Sequence, residues 1–160
     1  MTLTLRFTRL SATRHRFEYR RADGTGEAVE MESEGQPWLD LLRYAVESQA
    51  GLKGSFYGIL DKIGGYEELT VAGGAALGGE IAITERVVGA LAEGLREGEL
   101  DDEAFVAQVA DNLDVYEDRA PRWFTPAFVL AAQERMLRIN ARWDATAIGE
   151  TMELTFPPSP

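Results

Sequence analysis

The chain has 160 residues, 45% of them hydrophobic, with 27 acidic against 16 basic side chains, a formal net charge of −11 and no cysteine. That length suits one domain with a single core, and the missing thiols exclude disulfides, cysteine nucleophiles and thiolate metal sites. No apolar run is long enough to cross a bilayer, and an acidic field of this size repels phosphates, so neither a membrane nor a nucleic acid is an expected partner.

The charge is unevenly spread. Residues 1–21 carry six arginines against one glutamate, residues 22–118 carry a net of −17, and residues 119–160 carry a net of +1. The opening run MTLTLRFTRL alternates rather than forming an apolar block, which speaks against a secretory leader and makes the cytoplasm the expected location.

Period two marks the first strand, with Leu3, Leu5 and Phe7 on one side and Thr2, Thr4, Arg6 and Thr8 on the other. A second run puts His15, Phe17 and Tyr19 inward and Arg14, Arg16, Glu18 and Arg20 outward. Turn chemistry at 22–26 leads into a third run with Val29 and Met31 inward. A register that sets Phe17 against Met31, Tyr19 against Val29 and Arg16 against Glu32 satisfies both faces.

From Pro37 the period becomes helical. Trp38, Leu41, Leu42, Ala45 and Val46 form one apolar stripe, Pro37 suits a first helical position, and Gly51 suits a left-handed cap. The other face is Leu39, Asp40, Arg43, Tyr44 and Glu47, which carries whatever chemistry this helix has. A short helix should run from Ser55 as N-cap through Phe56, Ile59, Leu60 and Ile63 to Gly64-Gly65. Six glycines among residues 64–79 then predict a long mobile loop.

Residues 80–97 predict a helix with Ile83 or Thr84, Val87, Val88, Leu91 and Leu95 buried. The next stripe is Phe105, Val109, Leu113 and Tyr116. Thr125-Pro126 is an N-cap followed by a first-turn proline, opening a last helix with Val129, Ala132, Met136, Ile139 and Trp143 inward. Met152, Leu154 and Phe156 then alternate with Thr151, Glu153 and Thr155 as a fourth strand, whose simplest neighbour is the first.

Strands at both ends with helices between predict an α+β fold over a single domain, 1–160: N-terminal strands over 1–33, a helical region over 36–144 and a C-terminal strand over 150–156. The sheet is antiparallel with about four strands, and about five helices pack on one of its faces. Wide apolar stripes on the helices either fill this core or also support a homodimer.

Most local matches to known chemistry have an ordinary structural account. Lys53-Gly54-Ser55 has phosphate-loop residues in the wrong order, and the lone His15 shares the parity of Phe17 and Tyr19, which makes it a residue of the sheet core. Asp111, Asp114 and Asp118 fall on one helical face but lack the alternate spacing of calcium loops, so they read as a solvated surface. Glu30 and Glu32 face the arginines of the second strand as ordinary cross-strand partners.

Asp40, Tyr44, Val46 and Glu47, followed by Ala50-Gly51-Leu52 and Ser55-Phe56-Tyr57-Gly58, resemble a family of small uncharacterised bacterial proteins. Members of that family carry His-Asp-x-x-His-aromatic-x-Val-Glu on this helix. The resemblance implies that positions 39, 43 and 47, on successive turns of one face, ligate a metal where they are His, His and Glu. Here Leu39 and Arg43 replace the histidines, so no metal and no cofactor is expected, and Arg43 with Glu47 becomes an i,i+4 ion pair on the helix surface.

Two functional readings remain. In the first, a groove between this helix and the glycine-rich loop takes a small anionic ligand or a protein partner, with Arg43 as anchor and Glu47, Tyr44 and Tyr57 beside it, and no catalysis. In the second, the protein is an enzyme using Glu47 or Asp40 as general base without a metal, which requires that carboxyl to be buried or crowded by like charge.

Overall fold

A computed structural model describes residues 2–34, 37–70, 79–97, 102–115 and 120–158. Four strands, β1 (Leu3–Arg9), β2 (Arg14–Arg20), β3 (Gly26–Glu32) and β4 (Thr151–Phe156), form one antiparallel sheet in the order β3-β2-β1-β4. Between them lie α1 (Trp38–Ala50), α2 (Phe56–Leu60), α3 (66–70), α4 (Gly79–Glu97), α5 (Asp102–Val115) and α6 (Pro126–Asp144). This is the α+β architecture that the alternation of periods predicts, with the C-terminal strand paired to the first.

Alternation decides the faces of the sheet. Leu3, Leu5, Phe7, His15, Phe17, Tyr19, Met152, Leu154 and Phe156 are all buried on the helix side. On the open face Arg14 reaches Glu32 at 2.7 Å and Arg6 lies 3.8 Å from Glu153, both solvent-exposed pairs of small energetic weight.

The hairpin register differs by two residues from the expected one: Phe17 pairs with Val29, Tyr19 with Glu27 and Arg16 with Glu30. The turn explains the shift. The Arg21 amide bonds the Thr25 carbonyl at 2.7 Å, Gly24 adopts φ +88°, and the Thr25 amide and hydroxyl both donate to Asp23 Oδ1, so the hairpin folds about Asp23 rather than Gly24. A slip of two keeps every side chain on its own face. It also sets Glu27 opposite Tyr19, where Oε1 accepts from the Tyr19 hydroxyl at 3.1 Å and from the Tyr66 amide at the start of α3.

The helical layer follows the apolar stripes closely. On α6 the Thr125 hydroxyl accepts from the Phe128 amide at 3.1 Å, and Val129, Ala132, Met136, Ile139 and Trp143 are buried, as their spacing requires. On α4 Thr84, Val87, Val88 and Leu91 are buried and Leu95 half-buried, with Ile81 added to the stripe and Ile83 only partly covered. Phe105 and Val109 of α5 are buried and Asp111 is exposed; the side chains at 113, 114, 116 and 118 lie outside the described residues.

Arginines of the basic N-terminal segment are spent on helix ends. Arg9 donates to the carbonyls of Thr146 at 2.6 Å and Trp143 at 2.8 Å, and stacks on the Trp143 ring. Arg21 donates to the carbonyls of Leu60 and Gly64 at 2.7 and 2.6 Å, closing the C-terminal end of α2.

Two expectations around α2 are corrected. The helix stops at Leu60 and Ile63 is 69% exposed, because these Arg21 bonds turn the chain away before another inward position is reached. Residues 66–70 of the expected loop are helical, with Tyr66 and Leu69 buried; the remainder, 71–78, lies outside the described residues.

Candidate functional site

Helix α1 is buried on every side from Asp40 to Glu47. Its apolar stripe, Leu41, Leu42, Ala45 and Val46, enters the core, and the opposite stripe, expected to be a surface, is covered by α2, α3 and α4. Asp40 and Glu47 are both 0% exposed and Arg43 is 5% exposed. Charged groups at such depth must be paired or change their protonation state.

Arg43 is paired twice. Its Nη1 donates to Asp40 Oδ1 at 2.6 Å, while Nε and Nη2 donate to Glu85 Oε1 and Oε2 at 2.7 and 3.0 Å, a bidentate fork from α1 to α4. The guanidinium also lies 4.3 Å from the centre of the Phe56 ring. Burial alone would lower the Arg43 pKa, but the bonds and charges of Glu85 and Asp40 more than offset it, and the group stays a cation. The expected ion pair with Glu47 does not form: Glu85, 42 residues further along the chain on α4, presents a better fork than the carboxylate one turn along α1.

Asp40 completes its own shell through Tyr66, whose hydroxyl donates to Oδ2 at 2.7 Å. Burial nevertheless raises the Asp40 carboxyl above the ordinary carboxylate range, against the pull of Arg43 and Tyr66. Tyr57, on α2, packs alongside α1. Its hydroxyl donates to the Asp40 carbonyl at 2.7 Å and its amide to Glu47 Oε1 at 3.0 Å, so one residue of α2 ties both carboxylate positions. Tyr44 points elsewhere, its hydroxyl donating to the Thr155 carbonyl of β4 at 2.8 Å.

Glu47 is the group left incomplete. Oε1 holds the Tyr57 amide, while Oε2 is buried with no hydrogen-bond partner among the described residues. Burial pushes the carboxyl pKa up from 4.5 to about 8; the Tyr57 amide and Arg43 pull it down, and Glu85 and Glu80 push it further up.

Glu47 also lines a cavity of about 450 Å³. The end of α1 supplies Ser48, Gly51 and Leu52; the α2 region supplies Lys53, Gly58, Asp61 and Lys62; the end of β4 supplies Phe156, Pro157 and Pro158. Gly51 ends α1 in the left-handed conformation at φ +67°. Gly58 allows α2 to sit against the preceding loop, since a Cβ there would lie 2.2 Å from the Lys53 carbonyl oxygen. Helix α4 fixes that loop from the other side: Glu80 accepts from the Gly54 amide at 2.8 Å, and the Ser55 hydroxyl donates to Thr84 at 2.8 Å. Ser55 thus occupies the N-cap position but uses its side chain between helices.

Of the four residues expected to bind a ligand, Glu47 lines this cavity, whereas Arg43, Tyr44 and Tyr57 stand behind it in the core. The cavity's other charged contributors, Lys53, Lys62 and Asp61, carry no sequence signal, because nothing in their spacing tells that α2 folds back beside the end of β4. Tyr66 and Glu85 carry no such signal either, since both lie far from α1 in sequence.

His15 is a second buried titratable group. Its Nδ1 lies 3.1 Å from the Ser33 hydroxyl, its ring meets Trp143 edge-on, and Nε2 has no partner among the described residues. Burial and the charges of Arg9 and Arg14 lower its pKa to about 4, so it is neutral at physiological pH. It is the core histidine that its parity predicts.

Among the described residues no group of three or more histidine, aspartate or glutamate side chains is placed to hold a metal ion, and no helix is long and apolar enough to cross a membrane. No protein-family model, no curated protein and no solved structure matches the chain.

Proposed function

We propose that the protein is a cytoplasmic, non-catalytic small-ligand-binding module whose ligand occupies the cavity beside Glu47. The observation that supports this reading most is that Glu47, a residue lining a 450 Å³ cavity, keeps a buried carboxyl oxygen without a hydrogen-bond partner among the described residues. An unmade bond at a buried polar atom costs about 1–3 kcal/mol, a deficit that a bound ligand removes. A mostly apolar cavity with a few convergent polar groups is also the common form of a small-molecule site. The anchor is then Glu47 rather than Arg43, whose donors are held by Asp40 and Glu85.

A fragment screen followed by backbone-amide NMR tests this. Fragments should shift the amides of Leu52, Gly58, Lys62 and Phe156, and Leu52→Trp, which fills the cavity, should weaken them in a protein still folded by circular dichroism. Hits that map elsewhere, or that ignore Leu52→Trp, overturn the reading.

One observation favours a second reading, an enzyme with Glu47 as general base: burial gives this carboxyl a pKa of about 8, suited to proton abstraction near neutral pH. Asp40 is the weaker candidate, since both of its oxygens are engaged and it does not line the cavity. The binding reading is preferred because the hydroxyls of Tyr57 and Tyr44 are directed at backbone carbonyls, which leaves neither of these tyrosines facing a ligand as an acid. A substrate whose turnover falls about 100-fold or more in Glu47→Gln, with binding retained, would establish the enzyme instead.

A further inference from the structure

The cavity is polarised from its inner to its outer end. Glu47 at the inner end is 0% exposed, and the charges acting on it are acidic in excess: Glu80 and Glu85 on α4 against Arg43 alone. At the mouth stand Lys53 and Lys62, both solvent-exposed, with the half-buried Asp61 also in the wall. Leu52, Phe156 and Pro157 add apolar wall.

We infer that the ligand is an amino carboxylate with an apolar spacer, its ammonium donating to Glu47 Oε2 and its carboxylate held at the mouth by Lys53 and Lys62. This rests on the cavity reading above and adds the class of ligand. Three features of the wall then gain a complement: the unpartnered buried oxygen takes a donor, the inner acidic excess takes a cation, and the two exposed lysines outweigh Asp61 and take an anion. A plain anion would satisfy the mouth and leave the acidic excess around Glu47 without a cation. A plain amine would satisfy Glu47 and forgo the lysines.

The groups facing Glu47 also fix the proton balance. Tyr57 donates its amide to Oε1, and Arg43, Glu80 and Glu85 set the field around it. At pH 7 the free carboxyl is protonated, so an ammonium that pairs with it expels one proton from Glu47 to the buffer, while the amine keeps its own. A ligand that accepts a bond from Glu47 expels none.

The test is calorimetry at pH 7 in two buffers of different ionisation enthalpy, with three probes of one shape: 4-(aminomethyl)benzoate, benzylamine and benzoate. The expected order of affinity is 4-(aminomethyl)benzoate, then benzylamine, then benzoate, with close to one proton released by the two amines. Glu47→Gln should weaken both amines by about tenfold or more and abolish the proton release. Lys53→Gln with Lys62→Gln should weaken 4-(aminomethyl)benzoate by several-fold and leave benzylamine unchanged. Benzoate binding best, or amine binding that Glu47→Gln leaves unaltered, overturns the ligand class while the cavity reading stands, provided the amides of Leu52 and Phe156 shift. No shift at those amides with any probe, while the wider fragment screen also misses the cavity, overturns both.

Discussion

Glu85 and Arg43 meet in a bidentate pair, Oε1 to Nε at 2.7 Å and Oε2 to Nη2 at 3.0 Å, and this pair is why Glu47, one turn further along α1, is left with an unclaimed oxygen. An arginine four residues before a glutamate would otherwise pair with it. Here the fork is taken by α4, the third donor by Asp40, and the buried carboxyl of Glu47 has only the Tyr57 amide. The consequences divide between stability, which the Arg43 network controls, and binding, which Glu47 controls.

Removing Arg43 should be severe. Arg43→Ala leaves Asp40 buried without its cation and should destabilise the fold by about 3–5 kcal/mol in urea unfolding. Adding Asp40→Leu should recover part of that loss, because the stranded charge goes with it. An Arg43→Ala protein with nearly wild-type stability would contradict the buried triad.

Tyrosine hydroxyls at two depths should behave differently. Tyr66→Phe strips Asp40 Oδ2 of its donor inside the core and should cost about 1–3 kcal/mol. Tyr19→Phe, at the partly exposed end of the sheet, should cost less, since water can replace its bond to Glu27. Equal losses by thermal or chemical unfolding would count against the assigned depths.

The Glu47 carboxyl makes stability depend on pH with a definite sign. Its pKa is raised from 4.5 to about 8, so between those values the folded state holds a proton that the unfolded state has lost, and folding weakens as pH rises. The slope is about 1.4 kcal/mol per pH unit for one such group. Glu47→Gln removes it, so the stability of Glu47→Gln relative to wild type should climb from pH 4.5 to pH 8 and then level off. A difference that stays flat across this window would contradict a protonated Glu47.

His15 acts in the opposite sense and over a lower window. Its folded pKa is lowered from 6.5 to about 4, so the unfolded state binds the proton first and stability rises with pH between those values. His15→Phe should flatten the acid side of the stability curve and leave the fall above pH 6.5 intact. Proton NMR of the ring should show no titration above about pH 5.

How much of this was legible in the chain follows from the range of the interactions. Alternation placed Leu3 to Phe7, His15 to Tyr19 and Met152 to Phe156 on their correct faces, and Thr125-Pro126 placed the start of α6, because each signal is local. The hairpin slipped by two because side-chain parity is blind to an even shift, and only the Asp23–Thr25 bonds decide it. Asp40, Arg43 and Glu47 stood out as the chemical face of α1, but their exposure did not follow from that: a polar stripe looks the same whether water or other helices cover it. What buries it, Tyr57, Tyr66 and Glu85, comes from 10 to 42 residues further along the chain, and a single sequence carries no mark of those contacts.

The most direct measurement is the titration of the Glu47 side-chain carboxyl carbon by NMR, in the free protein and in the protein loaded with 4-(aminomethyl)benzoate. The account predicts a midpoint of about 8 in the free protein, and a carboxylate signal already present at pH 7 once the probe is bound. A midpoint near 4.5 that the probe does not move would contradict it.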